Sequence, residues 1–119
     1  MVKKVLVLGA NFGGLTAALS LKRELKNDVD VTVVSDRDYF LFNPSLIWLP
    51  FGARNAGNVT FKVAPTFDKA GINFIQSAAT EIMPDKKSVQ LTNGSMVSYD
   101  YLVIATGTRN KPEAVEGLF

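Results

Sequence analysis

The sequence predicts an α/β fold: a parallel sheet with a helix against it, and a three-stranded antiparallel β-meander added. Three observations predict it. Val5-Leu6-Val7-Leu8 is an unbroken apolar run that enters a glycine-rich stretch and then a helical pattern. The β-branched run Val31-Thr32-Val33-Val34-Ser35 follows, and strand, helix and strand within about 30 residues make a βαβ unit with a right-handed connection. Three short apolar runs then lie between residues 80 and 99, before a last continuous apolar strand at 101–105.

Residues 3–8 are the first strand, and apolar residues at successive positions mark it as buried on both faces. From 13 to 26 the residues at 14, 18, 21 and 25 are apolar or small and share one helical face, while Thr16, Ser20, Lys22, Arg23, Glu24 and Lys26 fill the others. That is a helix with one buried stripe, ended by Asn27-Asp28. Residues 31–35 form the second strand. Residues 36–60 have no clear period, and such a stretch in a compact domain is functional or disordered. Tyr39, Phe40, Phe42, Ile47, Trp48 and Phe51 make it too apolar for disorder. It reads either as a satellite core under a long loop or as an apolar wall over a planar ligand, with a short helical turn at 44–49. A short helix is expected over 65–70, with Pro65 early and Gly71 just past its end. Residues 73–77 are the third strand. The meander runs over 80–83, 88–91 and 96–99, with turns at 84–87 and 92–95, the second carrying the hairpin pair Asn93-Gly94. No internal repeat or low-complexity segment is visible.

The totals bound the function. At 119 residues the chain is one domain, 1–119, able to bury roughly two-thirds of its unfolded surface. A hydrophobic share of 47% with 20% charged residues reads as soluble and globular. A net charge of +2 with dispersed Lys and Arg is no nucleic-acid footprint. No run of about 18 apolar residues suggests a transmembrane span, no signal peptide is expected, and a cytoplasmic location fits. With no Cys and no His, the chain has no thiol chemistry and lacks the commonest metal ligand and acid–base group.

The stretch that organises the rest is Gly9-Ala10-Asn11-Phe12-Gly13-Gly14. A tight glycine turn at the start of a helix is an anion site, because unpaired N–H groups and the positive end of the helix dipole face it. The dinucleotide fingerprint is G-x-G-x-x-G, and Asn11 stands at its second glycine. An ordinary strand–turn–helix without a ligand is the plainer reading of these six residues alone. Asparagine tolerates a left-handed backbone, so the turn survives, and its side chain would either crowd the pyrophosphate or donate a hydrogen bond to it. Crowding is the expectation, since the second glycine serves close approach.

The last strand runs into Thr106-Gly107. A glycine turn, a βαβ unit, a meander and an apolar strand ending Ala105-Thr106-Gly107 resemble the FAD-binding domain of the two-dinucleotide-binding flavoprotein reductases. Ser35-Asp36-Arg37-Asp38-Tyr39-Phe40, then Phe42-Asn43-Pro44-Ser45 and Trp48, most resemble the sulfide:quinone oxidoreductases. The type II NADH:quinone dehydrogenases carry a related loop. The resemblance implies a Rossmann-type sheet and FAD as cofactor. It puts the pyrophosphate at Gly9, Asn11, Phe12, Gly13 and Gly14, and the ribose at Ser35 or Asp36 beside Arg37. Ala79 and Thr80 would pass the adenine, while Asn43, Pro44, Ser45, Thr106 and Gly107 approach the flavin.

The same resemblance implies a longer parent enzyme, peripheral to the membrane, that passes electrons from sulfide to quinone. It covers essentially this whole chain but only the first third or so of such an enzyme. The family's redox cysteines lie beyond Gly107, and no catalytic acid, base or nucleophile is assigned here. The isolated chain is therefore expected to be an inactive fragment, with a loop open enough for self-association. A stand-alone nucleotide-binding module without catalysis is the alternative from another class.

Overall fold

The computed structural model describes residues 2–118. Its centre is a four-stranded parallel sheet with spatial order β5-β2-β1-β9, built from β1 (Lys3–Leu8), β2 (Val29–Ser35), β5 (Asn73–Gln76) and β9 (Tyr101–Ile104). Helix α1 (Phe12–Leu25) crosses from β1 to β2. It begins one residue before the expected 13 and ends one before 26. Lys26 takes a left-handed backbone (φ 49°) and leads a 3₁₀ turn over Lys26–Asp28.

The unbroken apolar runs have the expected cause. Val5 and Val7 of β1, with Val31 and Val33 of β2, face one core with Ala18 and Phe67, whereas Leu6, Leu8 and Val34 face a second core with Val89 and Leu91. Successive side chains of a strand point to opposite faces, so a strand covered on both sides must be apolar at every position. The first face is covered by α1 and α3 (Val63–Ala70), the second by the meander β6 (Ala79–Met83), β7 (Ser88–Leu91) and β8 (Met96–Ser98). Helix α3 starts two residues before the expected 65. Pro65 sits in its first turn, where a missing N–H costs little, and Gly71 caps it at φ 74° with its amide bonded to the Asp68 and Phe67 carbonyls.

The aperiodic stretch 36–60 holds the largest departure from the sequence reading. It contains β3 (Tyr39–Leu41), a 3₁₀ turn over Asn43–Trp48 and the one-turn helix α2 (Ala56–Val59). Strand β3 pairs antiparallel with β4 (Thr60–Lys62), so a hairpin spans what looked like a loop. Phe40 is buried in the core beneath α1 and α3, so the stretch joins the main core and is not a satellite to it. Ile47, Trp48 and Phe51 stay exposed, Phe51 at 85%. The last strand stops at Ile104, one residue short of the expected end, and the third strand stops at Gln76.

Candidate functional site

The carboxyl ends of the parallel strands gather the predicted residues, and in open α/β sheets ligands bind outside those ends. Strand β1 ends at Gly9, whose amide donates to the Val34 carbonyl at 2.8 Å. Gly9 has φ 107°, and a Cβ there would overlap the Ala105 carbonyl oxygen. Gly14 lies so close beneath that a Cβ on it would overlap the Gly9 carbonyl. Both positions therefore require glycine, one for backbone conformation and contact, the other for contact alone. Gly13 meets the Ala105 side chain, where an added Cβ would lie 3.3 Å away. The two glycine motifs, far apart in sequence, thus form the two walls of one turn, and the Ala105 amide closes it on the Leu8 carbonyl at 2.8 Å.

Helix α1 starts on this turn. No side chain caps its N-terminus and no acidic residue lies in its first turn, which leaves its first amides without a side-chain partner among the described residues. Lys22 and Arg23 sit in its last turn, where cations suit the dipole. A turn of this kind can receive an anion close to backbone.

Asn11 departs from expectation. Its backbone has φ −97°, so left-handed tolerance is not what admits asparagine. Its side chain does not lie over the turn as a free donor either. Asn11 Oδ1 accepts from the Leu41 amide at 2.9 Å, and Nδ2 donates to the Leu41 carbonyl at 3.1 Å. These two bonds fix the carboxamide and use one of its two Nδ2 hydrogens.

At the end of β2, Ser35 is buried and its hydroxyl accepts from the Arg37 amide at 3.1 Å. Asp36 and Arg37 are exposed, and the Arg37 guanidinium lies 5.7 Å from the Tyr39 ring centre. Asn43 and Pro44 are exposed and Ser45 half-buried, in the 3₁₀ turn that follows β3. Ala79 and Thr80 open β6, where the Thr80 hydroxyl donates to the Gln90 carbonyl at 3.1 Å. Ser77 and Thr92 lock that end of the meander to the sheet, their hydroxyls 2.8 Å apart. Thr106 and Gly107 are exposed beyond β9, with Gly107 at φ 77° in open space.

Sequence reasoning missed one part of the site, the hairpin. Phe12 packs on Phe40 edge-on at 4.9 Å and lies 6.0 Å from Phe42, and Phe40 stacks on Phe61 at 4.9 Å. Beside it lies a cavity of about 520 Å³ lined by Tyr39, Leu41, Leu49, Val59 and Phe61 among others. The only signals were aromatic residues in an aperiodic stretch and an asparagine in a glycine slot.

The sequence pattern of the pyridine nucleotide-disulphide oxidoreductases matches residues 3–118. A sulfide-quinone reductase of Aquifex aeolicus is 40% identical over 109 residues, 92% of this chain and 25% of that protein. The crystal structure of the sulfide:quinone oxidoreductase from Aquifex aeolicus superposes with a TM-score of 0.85 at 39% identity, over 90% of this chain and 25% of that one. A type II NADH:quinone oxidoreductase of Staphylococcus aureus is 31% identical over 117 residues, 98% of this chain and 29% of that protein. The chain spans about a quarter of the length of these relatives. Its paired glycine walls and parallel sheet fall within the matched residues, and on that agreement the chain belongs to the pyridine nucleotide-disulphide oxidoreductase family.

Proposed function

We propose that the chain is the FAD-binding segment of a flavoprotein that passes electrons from sulfide to quinone. The observation that carries the reading is the turn where both glycine motifs meet under an uncapped helix N-terminus. Backbone there is bare enough for a pyrophosphate to approach, and the first amides of α1 supply the donors. Asp36 would take the ribose, since the Ser35 hydroxyl already serves the Arg37 amide. Arg37 would flank that carboxylate, and the exposed Ala79 and Thr80 would border the adenine. Asn43, Pro44 and Ser45 would approach the flavin from the hairpin side, and Thr106 and Gly107 from the sheet side. FAD would supply the electron transfer, and this segment would bind it, orient it and shield it from water.

Sulfide is the favoured donor because the sulfide-quinone reductase relative is 40% identical. The 31% identity to a type II NADH:quinone oxidoreductase supports NADH as the second reading. The parent would meet its quinone at a membrane surface as a peripheral protein. Among the described residues no helix is long and apolar enough to cross a membrane.

The test is anaerobic mixing of the full natural protein with sulfide or with NADH. FAD should co-purify, and sulfide should bleach its absorbance until a quinone is added. Bleaching by NADH alone would move the assignment to the second reading, and a protein that holds no flavin would leave a nucleotide-binding module. The 119 residues alone contain no Cys and should give no sulfide-dependent quinone reduction.

A further inference from the structure

Of the three fingerprint glycine positions, 9, 11 and 14, Asn11 fills the only one that does not hold glycine, and its side chain is not idle. Its carboxamide pairs with both the amide and the carbonyl of Leu41, 30 residues away in sequence. A side-chain amide has the donor and acceptor of a peptide group, so Asn11 bonds Leu41 much as a neighbouring strand residue would. The next residue, Phe12, makes a second link, edge-on to Phe40 and near Phe42. Two adjacent residues of the phosphate turn therefore grip three successive residues of the hairpin, Phe40, Leu41 and Phe42. Asn11 is half-buried, which shields those bonds from water.

We infer that Asn11 is a positioning residue that clamps the hairpin β3–β4 to the glycine turn, so that the two move as one body around the cofactor. The inference rests on the FAD reading above. It reverses the expectation drawn from the fingerprint, because restoring glycine at position 11 would free space near the phosphate and release the wall of the site. The turn that follows β3, carrying Asn43, Pro44 and Ser45, would then lose its fixed distance from the first amides of α1. Leu41 would keep its ladder partner Thr60, so the hairpin itself would persist but drift.

The experiment compares the full natural protein with its Asn11→Gly and Asn11→Ala variants. Amide exchange of a peptide spanning residues 39–42, FAD affinity, and the visible circular dichroism of bound FAD at saturation are read together. Saturation separates altered placement from weaker binding. Both variants should exchange faster over 39–42, bind FAD about tenfold more weakly, as the loss of two partly buried hydrogen bonds implies, and show an altered dichroism band. FAD binding as tight as or tighter than wild type in Asn11→Gly would overturn the clamp, as would unchanged exchange. Should the variants fail to fold, rapid exchange over 39–42 in the wild-type protein without FAD would overturn it, and slow exchange would support it. A wild-type protein that binds no FAD would instead overturn the cofactor reading.

Discussion

Gly9 and Gly107 both adopt a positive φ, but their surroundings differ, and that difference separates two kinds of glycine requirement. Gly9 has the Ala105 carbonyl against it, while Gly107 has nothing within 4 Å. Gly107→Ala should cost only the backbone strain, about 1–2 kcal/mol. Gly9→Ala adds an overlap with main-chain atoms that cannot rotate away, a further 1–3 kcal/mol or so. Urea midpoints of the two variants should differ in that order, and equal midpoints would mean the turn opens freely away from Ala105. The spacing of Gly9 and Gly14 made their role legible from sequence, because only glycine permits such contact. The partner of Asn11 was not legible. Leu41 contributes main-chain atoms, which every residue type carries, so nothing in the sequence at 41 announced it.

At the scale of elements, the hairpin β3–β4 is the part the sequence concealed. Its strands are three residues each, with 18 residues between them, too short for a period to register. The pairing is held by tertiary contacts, the Phe40–Phe61 stack and the Asp38–Lys62 ion pair at 2.6 Å. Helices α1 and α3 and strands β1 and β2 were legible because each has a buried stripe or face. The hydrogen bond from Lys62 holds the Asp38 carboxyl below its ordinary value. A depressed carboxyl contributes stability above its unfolded pKa, about 3.9, and that contribution is lost as pH falls through the lower folded value. The pair is exposed, so the effect is small and weakens with salt. Trp48 emission should show an acid step below about pH 4 that Asp38→Asn removes, and a step that survives the substitution would assign it to another group. In the core it shares with Phe40, Phe67 of α3 is fully buried. Phe67→Ala should cost about 3–5 kcal/mol in calorimetry, and a loss below 1 kcal/mol would show that α3 does not anchor this face.

For the molecule as a whole, the exposed apolar side chains of the described residues include Ile47 and Trp48 in the turn after β3, Phe51 just past it, and Tyr101 and Ile104 on the edge strand β9. Contiguous apolar surface seeks a cover, and an edge strand offers unpaired backbone groups. A sizing column should show the 119 residues self-associating as concentration rises, and a monomer at every concentration would show these surfaces to be tolerated by water. In the full natural protein Trp48 emission should be quenched by bound FAD, and unchanged emission would place the flavin away from the 3₁₀ turn. The pairing of β1 with β9 also has a consequence in time. Lys4 and Asp100 exchange main-chain and carboxylate hydrogen bonds across 96 positions of sequence. At about 5–20 residues per second of synthesis, the first strand waits on the order of 5–20 seconds for its neighbour to leave the ribosome. Through that interval the glycine turn lacks Ala105 and has only one wall. A nascent chain halted before residue 105 should hold no nucleotide however long it waits, and one released past Gly107 should begin to, because β9 completes the turn that β1 begins.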